Sequence, residues 1–180
     1  MRLSLETTDH WFAVQVFAGR EQLCARQILA RGYEVFLPCY TEEHRWSDRR
    51  RRIQRALFSG YVFCRLTGSV WDRLVTTPGV IRVVGDDRGP VAIANEDIEA
   101  IQHVVEAGLH AEPWQFLTAG QRVRIATGPL RGAEGIVVRL QSRHRLILSV
   151  SVLQRSVAVE IDPAWISIPP QELHRLSMSR

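Results

Sequence analysis

The segment Gly120–Val138, GQRVRIATGPLRGAEGIVV, constrains this chain more than any other. Gly128-Pro129 sets a tight turn, and Gly132 and Gly135 provide for positive φ or a close backbone approach. Val123 and Ile125 alternate with Arg122 and Arg124, as a half-buried strand requires. Gly135–Arg139 follows as a strand. Leu146, Leu148 and Val150 then repeat at a period of two, as do Val157, Val159 and Ile161. Several short strands within about 50 residues predict a small SH3-like β-barrel. On turn chemistry alone, a generic β-turn in any small barrel explains the glycines equally well.

Upstream the texture is mixed. Trp11–Phe17 is rich in β-formers and reads as a strand. Gly19–Arg31 reads as a helix with Cys24, Ala25, Ile28 and Leu29 on its buried face and Arg20, Glu21, Arg26 and Gln27 largely off it, ended by Gly32. Glu34–Leu37 and Tyr61–Leu66 are strands, Val70–Val75 a short helix, Thr76–Gly79 a turn and Val80–Val84 a strand. Asn95 suits an N-cap, with Glu96 and Asp97 in the first turn. Ile98, Ile101 and Val105 continue as a helical stripe to about Ala107. This order predicts a split βαβ, ferredoxin-like α/β sandwich. The whole is an α+β chain: a sandwich over residues 1–107, a short linker over 108–118, the barrel over 119–169 and a loose tail over 170–180.

Between the second and third strands of the sandwich lies a different kind of sequence. Tyr40–Leu57 holds too few apolar residues to build a core and reads as an exposed hairpin or loop. Arg45, Arg49, Arg50, Arg51, Arg52 and Arg55 crowd into eleven positions, with Trp46 among them. Such a run suits a phosphate backbone, and Trp46 could stack on a base. A plain solvated basic loop is the other reading. All 23 basic residues are arginine, and the net charge of +4 with a pI of about 9.5 favours an anionic partner.

Other chemistry is poorly supported. The six histidines, His10, His44, His103, His110, His144 and His174, are scattered without metal-ligand spacing, and no cofactor is implied. Cys24, Cys39 and Cys64 form neither a disulfide framework nor a zinc signature and read as reduced, buried or half-buried residues. Gly128-x₃-Gly-x₂-Gly is not a phosphate-binding loop, and no Gly-x-Ser-x-Gly elbow occurs, so no enzyme is expected. No apolar run approaches the roughly 20 residues that span a bilayer, and MRLSLETTDH lacks a signal-peptide stretch. A cytoplasmic monomer with no membrane contact is expected. Arg131, Arg143 and Arg145 read as a solvated barrel face.

Gly120, Val123, Ile125, Gly128, Pro129, Leu130, Gly132, Gly135 and Val137 together resemble a KOW motif. Ser149–Arg155 followed by Val159–Asp162 resembles the C-terminal barrel of the NusG family. Trp11–Val14, Glu21, Phe36–Pro38, Phe58–Phe63, Trp71, Thr77–Val80 and Ile98–Ile101 resemble its N-terminal domain. The family's Phe-Pro-Gly-Tyr element has Ser at position 59 here, and the RWSDRRRR stretch is closer to the specialised RfaH and UpxY types than to the housekeeping protein.

The resemblance implies a bacterial transcription elongation and antitermination factor. Its N-terminal domain would bind the β′ clamp helices of RNA polymerase through Phe58, Tyr61, Trp11 and Phe12, for which core packing is the alternative. The barrel loop Val152, Leu153, Gln154 and Arg155 would bind Rho or a ribosomal small-subunit protein. The arginine hairpin would meet upstream or non-template DNA. The rival functions are housekeeping assistance to Rho-dependent termination, and an RNA-binding or ribosome-associated KOW protein that does not touch polymerase.

Overall fold

The computed structural model describes residues 9–46, 49–66, 72–114, 121–140 and 143–167. It divides into two compact units, residues 1–95 and 96–180.

The first unit runs β1 (His10–Val16), α1 (Glu21–Ala30), β2 (Glu34–Phe36), β3 (Cys39–Trp46), β4 (Arg49–Ala56), β5 (Tyr61–Leu66), α2 (Asp72–Val75), β6 (Val80–Val83), β7 (Gly85–Asp86) and β8 (Gly89–Pro90). Four strands form an antiparallel sheet in the order β2-β5-β1-β6. With α1 joining β1 to β2 and α2 joining β5 to β6, this is the split βαβ arrangement expected from the sequence. Alternation along each strand sets the layers. Phe12, Val14 and Val16 of β1 and Val62, Cys64 and Leu66 of β5 form one core with Cys24 and Ile28 of α1 and Leu74 of α2. Leu29, placed on the buried face by the sequence pattern, is 59% exposed, because Cys24 and Ile28 one turn apart already fill the contact.

The β3–β4 hairpin forms its own two-stranded sheet, as does the small β7–β8 hairpin that the sequence pattern misses. The hairpin springs from a buried base: Pro38 and Leu57 are interior, and the Leu57 N–H donates to the Pro38 carbonyl at 2.9 Å.

The second unit contains nearly all of α3 (Asn95–Glu106), then β9 (Ala111–Trp114), β10 (Gln121–Ile125), β11 (Glu134–Leu140), β12 (Arg143–Val150), β13 (Arg155–Ile161) and β14 (Ile166–Ser167). In α3 the buried stripe is Ile98, Ala100, Ile101 and Val104; Val105, expected on it, is 42% exposed. The strands form one antiparallel sheet in the order β14-β10-β11-β12-β13-β9. Its edges β14 and β9 do not pair with each other, so among the described residues the expected barrel is not closed.

One face of the sheet carries Val123, Ile125, Leu146, Leu148, Val150, Val157, Val159 and Ile161, all buried. The other carries a smaller cluster of Ile136, Ile147 and Ala158, packed by Val138 and Trp114. Trp114 arrives on β9, inside the segment read from sequence as linker. There, Ala111 pairs with Val159 and Trp114 with Ser156. Pro113 removes one backbone donor, and an edge strand is where a sheet tolerates that loss. Residues 115–118 of the expected linker and the tail 170–180 lie outside the described residues.

Candidate functional site

The arginine run folds as the expected hairpin. Its register runs from Cys39 opposite Ala56 to Trp46 opposite Arg49, and sets Arg45 opposite Arg50, His44 opposite Arg51 and Glu43 opposite Arg52. Like charges directly opposite one another destabilise a two-stranded ribbon. The root is tied down: Gln54 Nε2 donates to Thr41 Oγ1 at 2.9 Å, and Arg55 pairs with Glu42. Arg55, counted with the nucleic-acid set from sequence, is therefore partly neutralised at the hairpin base. Arg52, Ile53 and Gln54 are exposed. The side chains of Arg45, Trp46, Arg49, Arg50 and Arg51 lie outside the described residues. Residues 1–95 hold 14 arginines against 10 acidic residues, whereas residues 96–180 hold nine of each. The excess positive charge of the chain thus belongs to the unit bearing the hairpin.

The aromatic candidates are mostly interior. Trp11 is 5% exposed and Phe58 2%, and Phe12 belongs to the helix-side core. Adjacent residues of a strand point to opposite faces, so Trp11 and Phe12 cannot share one surface. On the face opposite Phe12, Trp11 meets Phe36 edge-on at 6.3 Å, Phe36 stacks with Phe63 at 6.2 Å, and Phe58 meets Phe63 edge-on at 5.3 Å. Such ring pairs add about 0.5–1.5 kcal/mol each beyond the area they bury. Of the four residues expected to grip a partner, only half-buried Tyr61 reaches the surface; Trp11 and Phe58 are buried among the rings of one sheet face and Phe12 in the core on the other.

Glu21, placed off the buried face by the helical pattern, is 8% exposed. Its Oε1 accepts the Gly60 N–H at 2.8 Å. Burial pushes its carboxyl pKa up, but hydrogen bonds from the Gly60, Glu21 and Gly19 backbone and from the Ser59 side chain outweigh that and hold it below the usual value.

In the second unit, Ser151–Leu153 is a single 3-10 turn, and Gln154 adopts φ 51° and ψ 42°, a left-handed conformation rare for a residue with a Cβ. Leu153 is buried and Val152 half-buried, so Gln154 and Arg155 form the exposed part of the loop expected to bind a second partner. Arg145 is not part of a solvated face. Its side chain is 17% exposed, pairs with Glu112 and lies over the Trp114 ring, 5.7 Å from the centroid. Arg131 is exposed as expected. The Gly-Pro turn has Gly128 at φ +81° with the Trp165 ring against it, and Gly135 packs under Leu146 and the Ile147 carbonyl with no room for a Cβ.

Residues 9–102 match the family model described as transcription termination factor NusG. A transcription termination/antitermination protein NusG of Campylobacter jejuni is 30% identical over 167 residues, covering 86% of this chain and 94% of that protein. The chain belongs to the NusG family. Its Helicobacter pylori relative of the same name is 28% identical over 166 residues, covering 84% of this chain and 93% of the relative. The Deinococcus radiodurans NusG is 25% identical, again covering 84% of this chain. A solved structure of Thermotoga maritima NusG shares the fold with a TM-score of 0.59 at 16% identity, covering 89% of this chain and 97% of that one.

NusG proteins are transcription factors rather than enzymes, and this chain is a NusG-type transcription factor. The family match takes in the whole four-stranded sheet, the hairpin and most of α3. No helix among the described residues is long and apolar enough to cross a membrane.

Proposed function

We propose that this NusG-family chain is a bacterial elongation and antitermination factor that binds the β′ clamp helices of RNA polymerase through its N-terminal domain. Membership of the family over most of the chain, with relatives named for termination and antitermination, carries the reading. The domain would run to about residue 107, since the family match continues through most of α3. Tyr61 is its contact residue, backed by the Trp11–Phe36–Phe63–Phe58 rings. The second unit is a KOW domain of SH3-like type, a reading supported by its Gly128 turn and its meander of strands. Its Val152–Arg155 loop binds a second protein, Rho or a ribosomal small-subunit protein. The protein acts in the cytoplasm as a monomer and needs no cofactor.

The hairpin arginines Arg45 and Arg49 to Arg52 contact upstream or non-template DNA. Phosphate contacts release counterions, so affinity for an elongation complex should fall with salt at a log–log slope of about 0.7 per single-strand phosphate contacted. Replacing Arg49–Arg52 by Ser should weaken binding to the complete elongation complex and flatten that slope by roughly 2–3. Binding to polymerase without nucleic acid should change little. An unchanged slope would reduce the hairpin to a solvated loop; failure of the wild-type chain to bind polymerase would remove the whole reading. Housekeeping assistance to Rho is the second reading, favoured by the relatives' shared name, and is read out by Rho-dependent termination in the same reconstituted system.

A further inference from the structure

The turn joining the hairpin to β5 carries little rigidity of its own. The Tyr61 N–H donates to the Phe58 carbonyl at 3.0 Å, and Gly60 sits at φ +83°. Phe58–Tyr61 is therefore a β-turn whose third residue is left-handed, the type II pattern. Proline at the second position stiffens that turn best, because its ring fixes φ. Here the second position is Ser59, which is exposed and has no such ring.

Two further bonds anchor the turn from outside it. The Val16 N–H donates to the Gly60 carbonyl at 2.8 Å, tying the turn to the end of β1. The Gly60 N–H donates to Glu21 Oε1 at 2.8 Å. Glu21 is the first residue of α1, which has no side-chain cap at Arg20. A buried carboxylate is costly without partners. Among the described residues Glu21 has a partner in the Gly60 N–H of the turn before β5.

We propose that Glu21 is a positioning residue whose carboxylate, bridging the start of α1 to the Gly60 N–H, locks the Phe58–Tyr61 turn in the shape that presents Tyr61, in place of a proline at position 59. The proposal rests on Tyr61 as the polymerase contact. Glu21 itself, being buried, does not reach a partner. Its effect passes through the population of the correct turn: if unlocking leaves that shape populated about a tenth of the time, apparent affinity falls about tenfold.

The test uses the full-length chain and core RNA polymerase, with amide exchange at Gly60 as a second readout. Glu21→Gln keeps the size and one neutral acceptor but loses the charge-assisted bonds. It should weaken polymerase binding about tenfold. Exchange at Gly60 should quicken while the β1–β5 ladder amides stay protected. Adding Ser59→Pro to Glu21→Gln should return binding to within about twofold of wild type, because the ring restores the turn without the carboxylate. A residue that merely stabilises the unit would instead deprotect the whole sheet and would not be rescued by proline.

If Glu21→Gln does not fold, Ser59→Pro in the wild-type background takes its place, with equal or tighter binding expected and weaker binding overturning the proposal. Full-strength binding by Glu21→Gln with a loosened Gly60, or failure of proline to rescue, overturns the proposal while leaving the polymerase reading intact. If the wild-type chain does not bind polymerase, that reading and the docking role of Glu21 both fall, and protection at Gly60 alone decides whether the lock exists.

Discussion

Replacing Gly128 by Ala tests whether the KOW-like turn is fixed by its backbone, by its neighbour, or by both. Gly128 sits at φ +81°, and a Cβ built there would lie 2.8 Å from Cδ2 and Cε2 of Trp165. Normal carbon–carbon contact is about 3.5–4.0 Å, so the ring or the turn must move. Neither is free to do so. The Ala126 N–H donates to the Trp165 carbonyl at 2.7 Å, and the Gly132 N–H returns to the Ile125 carbonyl at 2.8 Å. Left-handed backbone costs an L-residue about 1–2 kcal/mol. Forcing a methyl into a packed contact costs about 1–3 kcal/mol more. The sum, about 2–5 kcal/mol, should lower the unfolding midpoint of the second unit by at least roughly 8 °C. Thermal unfolding followed at residues of β10 and β11 gives the loss. The same substitution in a Trp165→Ala background separates the two contributions: with the ring gone only the backbone cost of about 1–2 kcal/mol should remain. Equal losses in the two backgrounds would show that the ring is no obstacle. A loss below about 0.5 kcal/mol in the wild type would refute the strain argument altogether.

Two further outcomes follow from the same reasoning. Gln154→Gly should raise the stability of the second unit by about 0.5–1 kcal/mol, since it relieves a left-handed Gln at the cost of the exposed Nε2 bond to the Ser151 carbonyl, and a midpoint that falls would show that this bond outweighs the strain. Burial pushes the Cys64 thiol up to about 12, so in the folded chain it stays protonated through neutral and mildly alkaline pH and should resist alkylation at pH 8 until denaturant exposes it; labelling of Cys64 in native protein as fast as in the unfolded chain would contradict its placement in the core.

Much of the scaffold was legible because its signals are local. Period-two alternation marks β1, β5, β12 and β13, and both glycine roles in the Gly128–Gly135 segment follow from turn chemistry. The arginine hairpin was legible by elimination, since a stretch without apolar residues has no core to join. The aromatic contacts were harder. Trp11, Phe12 and Phe58 suit a buried sheet face and a docking surface equally well in sequence. Only the packing of Phe36 and Phe63 against two of them, and of Cys24, Ile28 and Leu74 around the third, decides the matter.

The residues that sequence reasoning misplaced share a physical cause. Glu21 and Arg145 are charged, and periodicity assigns such residues to solvent because burying an unpaired charge is prohibitive. Glu21 is buried and Arg145 half-buried because a partner far away in the chain supplies the compensation: Gly60 lies 39 positions from Glu21, and Glu112 lies 33 positions from Arg145. β9 was missed for the same reason. AEPW carries no alternation of its own and pairs with β13, and its Trp114 gains a surface from Ile136, Ile147 and Ala158. Each of these charges also joins two elements that sequence alone leaves independent, α1 with the Phe58–Tyr61 turn and β9 with β12. That makes them the positions where a conservative change such as Glu21→Gln should alter the shape of a surface more than the stability of a core.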